Sequence, residues 1–191
     1  ITNPINITFE DEKLYVAMVR QLGAKKIKIN GNNESHEIEI SQDDVTNITE
    51  LNLQGSDDSK ITNLSGLENF NQLVELNLSN NAVAKMDSIS NLTNIQKLNM
   101  SGNVVNTNML ENIKKLTSLT ELDMSNTQMN GDQLDYFNTL VDLQKLTLAN
   151  NNISKLDGIK NLKNITKLDI SSNTSFTSFG QLVATTTLTD L

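Results

Sequence analysis

The sequence of 191 residues contains no cysteine and no tryptophan, a single proline, and only 4 % aromatic residues. The lack of cysteine excludes disulfide bonds and thiolate-bound metals. No stretch approaches the roughly 18 consecutive apolar residues of a membrane-spanning helix, so we expect no membrane insertion. The chain begins at Ile1, with neither a methionine nor a signal-like apolar segment, and we therefore expect that its start has been trimmed.

Basic residues and histidine are also scarce. The 15 lysine and arginine residues face 23 acids, for a net charge of −8. Such a chain lacks the phosphate-neutralising surface that nucleic-acid binding requires, so we expect no nucleic-acid partner. His36 is the only histidine, and without a cysteine the usual nucleophile–base pairs cannot be assembled. The composition therefore predicts a non-catalytic protein with no cofactor and no metal site.

What the sequence does contain is a repeat. One template, L-x-x-L-x-L-x-x-N-x-L, fits LVELNLSNNAV (73–83), IQKLNMSGNVV (95–105), LTELDMSNTQM (119–129), LQKLTLANNNI (143–153) and ITKLDISSNTS (165–175). A weaker copy starts at Ile48, and the beginning of another lies at Leu188–Leu191. Successive starts are 22 to 25 residues apart, which is the period of leucine-rich repeats.

This repeat predicts an α/β solenoid, the leucine-rich-repeat horseshoe. In each copy, alternation directs residues such as Leu76 and Leu78 inward and Asn77 outward, so equivalent strands should form a parallel sheet on the concave side. The convex side should carry short helices or 3₁₀ turns. The spacing of Met109, Ile113 and Leu116 predicts an α-helix over 108–116, and a similar apolar spacing predicts one over 131–140. We expect Phe70 and Phe137 in the core and Tyr136 at the surface.

Asparagine recurs at the ninth template position. A buried carboxamide has two donor hydrogens and an acceptor oxygen, which suit the backbone groups that lose ladder partners where the chain leaves each strand. We expect these residues to stack as a structural asparagine ladder, interrupted where Ser56 and Thr127 replace asparagine. The predicted ladder comprises Asn81, Asn103, Asn151 and Asn173.

Residues 1–47 do not fit the repeat and are predicted to form an N-terminal cap of a helix plus a hairpin. A capping box at Thr8 and Asp11 predicts a helix from about residue 9 to Leu22, ended by Gly23. KIKIN (26–30) and HEIEI (36–40) read as a β-hairpin, and Ser41 with Asp44 predicts a short helix that leads into the repeats. Residues 48–191 then form six coils and the start of a seventh. Such a cap covers the apolar end of the first coil.

These repeats resemble the 22-residue type of the internalins, surface proteins of Gram-positive bacteria. The segment ISQDDVTNITEL (40–51), which runs directly into the first strand, is similar to the entry from an internalin cap. The resemblance covers nearly the whole chain and implies an extracellular or cell-surface bacterial protein that binds a macromolecule. Internalin partners cannot be carried over, because the aromatic-rich concave contacts of that family are absent here.

The outward strand positions are the candidate binding surface. We expect a monomer that binds a protein, or alternatively a glycan, through this polar concave face. Two other interpretations remain open: a cytoplasmic leucine-rich-repeat scaffold or regulator, and a structural stalk of a larger surface protein. The predicted partner-binding residues are Glu75, Asn77, Lys97, Asn99, Glu121, Asp123, Lys145, Thr147, Lys167 and Asp169.

Overall fold

The repeats form a solenoid with a parallel sheet on one side. The computed structural model describes residues 1–23, 26–29 and 33–177. Within these residues, six three-residue strands are stacked in chain order and in register, so that equivalent template positions are neighbours. The strands are β4 (Glu50–Asn52), β5 (Glu75–Asn77), β6 (Lys97–Asn99), β7 (Glu121–Asp123), β8 (Lys145–Thr147) and β9 (Lys167–Asp169).

The convex side carries short helices whose type follows the apolar spacing. In the two 22-residue coils 3₁₀ helices span Asp87–Ile89 and Asp157–Ile159, as predicted. The first coil, which has 25 residues, also carries a 3₁₀ helix, Leu67–Asn69. Helix α3 (Thr107–Ile113) is the predicted α-helix. The prediction of an α-helix over 131–140 is wrong, because Gly131–Thr139 is a 3₁₀ helix.

The physical reason for the 3₁₀ helix lies in the sequence. Leu134, Phe137 and Leu140 are three residues apart, and all three are fully buried. A 3₁₀ helix has three residues per turn, so this spacing places all of them on one face. Tyr136 is half-buried instead of exposed, since Lys114 extends over its ring at 5.7 Å from the centroid.

The N-terminal region contains the predicted hairpin and one strand that was not predicted. Strands β2 (Ile27–Ile29) and β3 (Glu37–Ser41) pair antiparallel, and β1 (Pro4–Thr8) pairs with the other edge of β3. A short 3₁₀ helix, Asn33–Ser35, precedes β3. Helix α2 (Gln42–Thr46) begins after Ser41, whose hydroxyl accepts the Asp44 N–H as predicted.

Helix α1 (Glu12–Leu22) begins later than predicted. Thr8 belongs to β1, so the N-cap is Asp11, whose Oδ1 accepts the N–H groups of Lys13 and Leu14 at 2.7 and 3.1 Å. Gly23 ends the helix with a φ of 77°, a value that favours glycine. The predicted start of a seventh repeat at Leu188–Leu191 lies outside the described residues.

The same aspartate joins the cap to the first coil. Oδ2 of Asp11 accepts the Thr62 N–H, the Thr62 hydroxyl and the Asn63 N–H at 2.7, 2.8 and 3.1 Å. Glu10 adds a bond, because its Oε2 accepts the Asn63 amide at 2.7 Å. Burial raises the pKa of Asp11, but the bonds from Thr62, Leu14 and Asn63 outweigh it and hold this pKa below its usual value.

The four asparagines of the predicted ladder lie beneath the strand ends and are buried. Each Nδ2 donates to a carbonyl of its own coil and to one of the preceding coil, at 2.8 to 3.0 Å. Each Oδ1 accepts a backbone N–H at 2.8 to 3.1 Å. Thr127 has a hydroxyl in place of the amide, and this hydroxyl donates to the Met124 carbonyl of its own coil and to the Asn151 Oδ1 of the next coil, at 2.8 and 3.2 Å.

Replacing Asn103 by alanine should lower the free energy of unfolding by about 2–4 kcal/mol, because the Leu78 carbonyl, the Met100 carbonyl and the Val83 N–H would lose buried partners. Urea denaturation measures the difference. Asn152→Ala is the matched control: Asn152 is exposed, and its change should stay within about 0.5 kcal/mol. If both variants lost the same free energy of unfolding, the hydrogen bonds of Asn103 in the ladder would make no specific contribution to stability.

Asp11→Asn should lower the free energy of unfolding by about 1–3 kcal/mol. Asparagine still caps α1, but it no longer provides a charged acceptor for three donors of the first coil. Because the folded pKa is lowered, the stabilisation is complete above the unfolded pKa and is lost as the pH falls through the folded pKa. Urea denaturation across this pH range should therefore show the difference from the unmodified protein narrowing in acid.

Glu12→Gln, at an exposed acid of the same helical turn, is the control for Asp11→Asn. If both variants unfolded alike, or if the difference did not depend on pH, the bridge from Asp11 to the first coil would have no energetic role.

Candidate functional site

Two columns of outward side chains run across the concave sheet. The first, which we name the charged column, occupies the first position of each strand and consists of Glu50, Glu75, Lys97, Glu121, Lys145 and Lys167. The second, the strand-end column, occupies the third position and consists of Asn52, Asn77, Asn99, Asp123, Thr147 and Asp169. All ten predicted partner-binding residues therefore lie on one face.

Ion pairs connect the middle of the charged column. The Lys97 Nζ lies 3.0 Å from the Glu75 Oε1 and 4.0 Å from the Glu121 Oε1, and the Lys145 Nζ lies 3.9 Å from the Glu121 Oε2. The hydrogen bond that Lys97 donates to Glu75, together with the nearby charges of Glu75, Glu121 and Glu50, raises the pKa of Lys97. These four side chains keep 41 to 53 % of their surface exposed. Such pairs contribute little to stability, so a partner can replace them at low cost.

The ends of the charged column place like charges next to each other. Glu50 is in register with Glu75, and Lys145 is in register with Lys167. Like charges on neighbouring strands repel. The face is thus acidic towards β4 and basic towards β9, and each end would gain from an oppositely charged group above it.

The strand-end column also has a structural role, which was not among the predictions from the sequence. Oδ1 of Asn77, Asn99, Asp123 and Asp169 accepts the backbone N–H two residues later, at 2.9 to 3.0 Å. In two coils the serine hydroxyl at that later position also donates to this oxygen. These bonds turn the chain out of the strand, so one oxygen of each residue is committed to the fold.

A sequence signal for this role exists. In all four of these coils an asparagine or aspartate is followed two residues later by serine, the spacing of an Asx turn. Asn52 makes the same bond, to the Gln54 N–H at 3.3 Å, without a serine at the later position. The exception is Thr147, which has no carboxylate or carboxamide oxygen and is followed by Ala149. Thr147 is therefore the member of this column whose side chain is least tied to the turn.

The cap contributes one further side chain to the concave face. Gln21, on α1, accepts the Asn52 N–H through Oε1 at 3.1 Å. Asn52 lies on β4, the first strand of the sheet, so this bond satisfies a donor on the sheet's edge. Gln21 also borders the concave groove beside Glu50. No local pattern indicates this contact, because the two residues belong to different parts of the chain.

In the described ranges, no group of three or more histidine, aspartate or glutamate residues is arranged to hold a metal ion. No helix within these ranges has both the length and the apolar character needed to cross a bilayer. His36 is half-buried in the cap, with its ring 5.4 Å from that of Tyr15.

Comparison with known proteins agrees with this architecture. The family model described as Leucine Rich repeats (2 copies) matches residues 141–183. Internalin C2 from Listeria monocytogenes superposes with a TM-score of 0.69 at 24 % identity, over 100 % of this chain and 88 % of that one. The fold is that of an internalin-like leucine-rich-repeat protein.

Two other solved structures extend the comparison. Another internalin of L. monocytogenes, inlF, gives a TM-score of 0.60 at 18 % identity, covering 96 % of this chain and 56 % of that one. A leucine-rich-repeat protein of Leptospira interrogans gives 0.58 at 25 %, covering 73 % and 35 %. No curated protein is similar enough in sequence to support an assignment by relatedness. At these identities the likeness to the internalins establishes the fold. Leucine-rich repeats commonly serve as protein-interaction modules.

Two alanine substitutions in the strand-end column separate a residue that forms a turn, Asp123, from one that does not, Thr147. Asp123→Ala should lower the free energy of unfolding by about 1 kcal/mol, because the Ser125 N–H and hydroxyl lose their acceptor. Thr147→Ala, at the equivalent position of the next coil, should change it by less than about 0.5 kcal/mol. Thermal and urea unfolding measure both; similar losses would argue against the turn-forming role.

Proposed function

We propose that this protein is a non-catalytic, cell-surface module of a bacterium that binds a protein partner through its concave face. The observation that carries the proposal is the charged column: six ionic side chains, held in register on one rigid sheet, with acid at one end and base at the other. The internalin-like fold supports the surface location by analogy of architecture.

The charges of the column favour a polar partner. Interfaces dominated by hot spots use tryptophan, tyrosine or arginine, and neither of the two columns contains any of these. Charge complementarity instead sets the orientation and the association rate of a complex. A partner that fits would present basic groups above Glu50 and Glu75 and acidic groups above Lys145 and Lys167.

The location is tested by shaving intact source cells with a protease and identifying the released peptides by mass spectrometry. We expect peptides from residues 73–175 to be released from intact cells. If the protein stayed intact until the cells were lysed, the surface location would be wrong, and partners would be sought in the cytoplasm.

The binding face is tested by capture with the immobilised chain from extracts of host cells and extracellular matrix. K145E/K167E should capture at least tenfold less of any bound protein than the unmodified chain does. The two substitutions reverse the charges at the basic end of the column and leave the core unchanged. K115E/K160E has the same net charge but changes two exposed lysines outside both columns. This control should capture as the unmodified chain does; a protein captured equally by all three chains would place the site elsewhere.

A further inference from the structure

The order of charges along the column has a symmetry. From β4 to β9 it reads acid, acid, base, acid, base, base. Reversing this order and exchanging the signs gives the same series. A surface with this property is complementary to a second copy of itself, which is the requirement for a two-fold symmetric contact.

We propose that two copies of this chain associate face to face through their concave sheets. The two-fold axis runs parallel to the strands and lies above the sheet between β6 and β7. This rotation reverses the order of strands while keeping each column opposite itself. It places Glu50 above the partner's Lys167, Glu75 above the partner's Lys145, and Lys97 above the partner's Glu121, with each pair formed twice.

The strand-end column is compatible with the same arrangement. Asn52, Asn77 and Asn99 would lie opposite the partner's Asp169, Thr147 and Asp123. Each carboxylate uses Oδ1 for its strand turn, and its second oxygen is available to accept an asparagine amide. None of these pairs brings like charges together, so no position of either column opposes the contact.

The second copy relieves the repulsion at both ends of the column. In one chain, Glu50 and Glu75 are neighbours, as are Lys145 and Lys167. Across the two-fold axis, each acidic pair meets a basic pair. The central ion pairs of Lys97 are exchanged for equivalent pairs with the partner. The overall net charge of −8 opposes association, so the attraction depends on the local order of charges.

The size of the sheet limits the strength of this contact. Six strands about 4.8 Å apart and three residues long give a face of roughly 24 by 10 Å. Stable interfaces bury about 800 Å² per partner, which is more than this face provides. We therefore expect a concentration-dependent dimer in rapid exchange. This inference departs from the monomer expected from the sequence, and it rests on the proposed function in treating the charged column as a contact surface.

Charge-swap pairs test the arrangement by sedimentation equilibrium of the full chain. For the unmodified chain, the mean mass should rise with concentration from 21.1 kDa towards twice that value. E50K/E75K and K145E/K167E should each stay at the monomer mass, because each places like charges opposite each other in four of the six pairs. An equimolar mixture of the two variants should associate again, since all six pairs are then complementary.

A difference in net charge would not explain the association of the two mixed variants. Each reversal changes the charge of −8 by two, so the first variant carries −4 and the second −12. Both are negative and repel overall, and their association requires the predicted register. D57K/D58K and K115E/K160E carry the same net charges, but their changes lie at exposed residues outside the columns. Each of these controls should self-associate as the unmodified chain does. Thermal unfolding of every variant shows whether it is folded.

The outcomes separate this inference from the proposed function. The dimer is wrong if the unmodified chain stays at 21.1 kDa at every concentration, or if the mixed variants do not associate. In that case, loss of partner capture by K145E/K167E would still support the concave face as a binding site for a different protein. Association of the mixture, without any capture of another protein, would support the dimer and contradict the proposed foreign partner.

Discussion

Contacts between neighbouring coils determine the rest of this structure. A single coil cannot bury its own apolar side chains, so its leucines are covered only when the next coil stacks on it. The buried asparagines reinforce this stacking, because each amide donates to the preceding coil as well as to its own. The in-register strands, and hence the two outward columns, are a direct consequence of this stacking.

The cap solves the problem of the first coil, which has no preceding neighbour. Three polar residues of the cap supply its missing partners: Glu10 and Asp11 bind the loop at Thr62 and Asn63, and Gln21 binds the edge of β4. The apolar face of α1, including Leu14 and Met18, is continuous with the core of the repeats. The cap thereby fixes one end of the concave face, where the column is acidic.

On a rigid sheet with solvent-exposed charges, a partner is recognised by the order of its charges more than by the apolar area that it buries. Ion pairs as exposed as those of Lys97 are worth little in stability, so they do not prevent an incoming partner from exchanging them. The order of signs then determines which surfaces fit and in which direction. Both proposals, the binding of a foreign protein and the association of two copies, depend on this property, and the two partners would compete for the same face.

The sequence alone determined the features that repeat locally: the strands, the inward leucines, the buried ladder asparagines and the membership of both columns. Alternation and a fixed period specify these without knowledge of distant contacts. Only the tertiary structure revealed β1, which needs β3 as a partner, and the bonds of Asp11 to residues 51 and 52 positions away. The 3₁₀ helix at Gly131–Thr139 and the strand-end turns do have local signals, namely the three-residue apolar spacing and an asparagine or aspartate two residues before a serine. Pairing between distant segments leaves no period in a sequence, because it depends on where the chain returns in space.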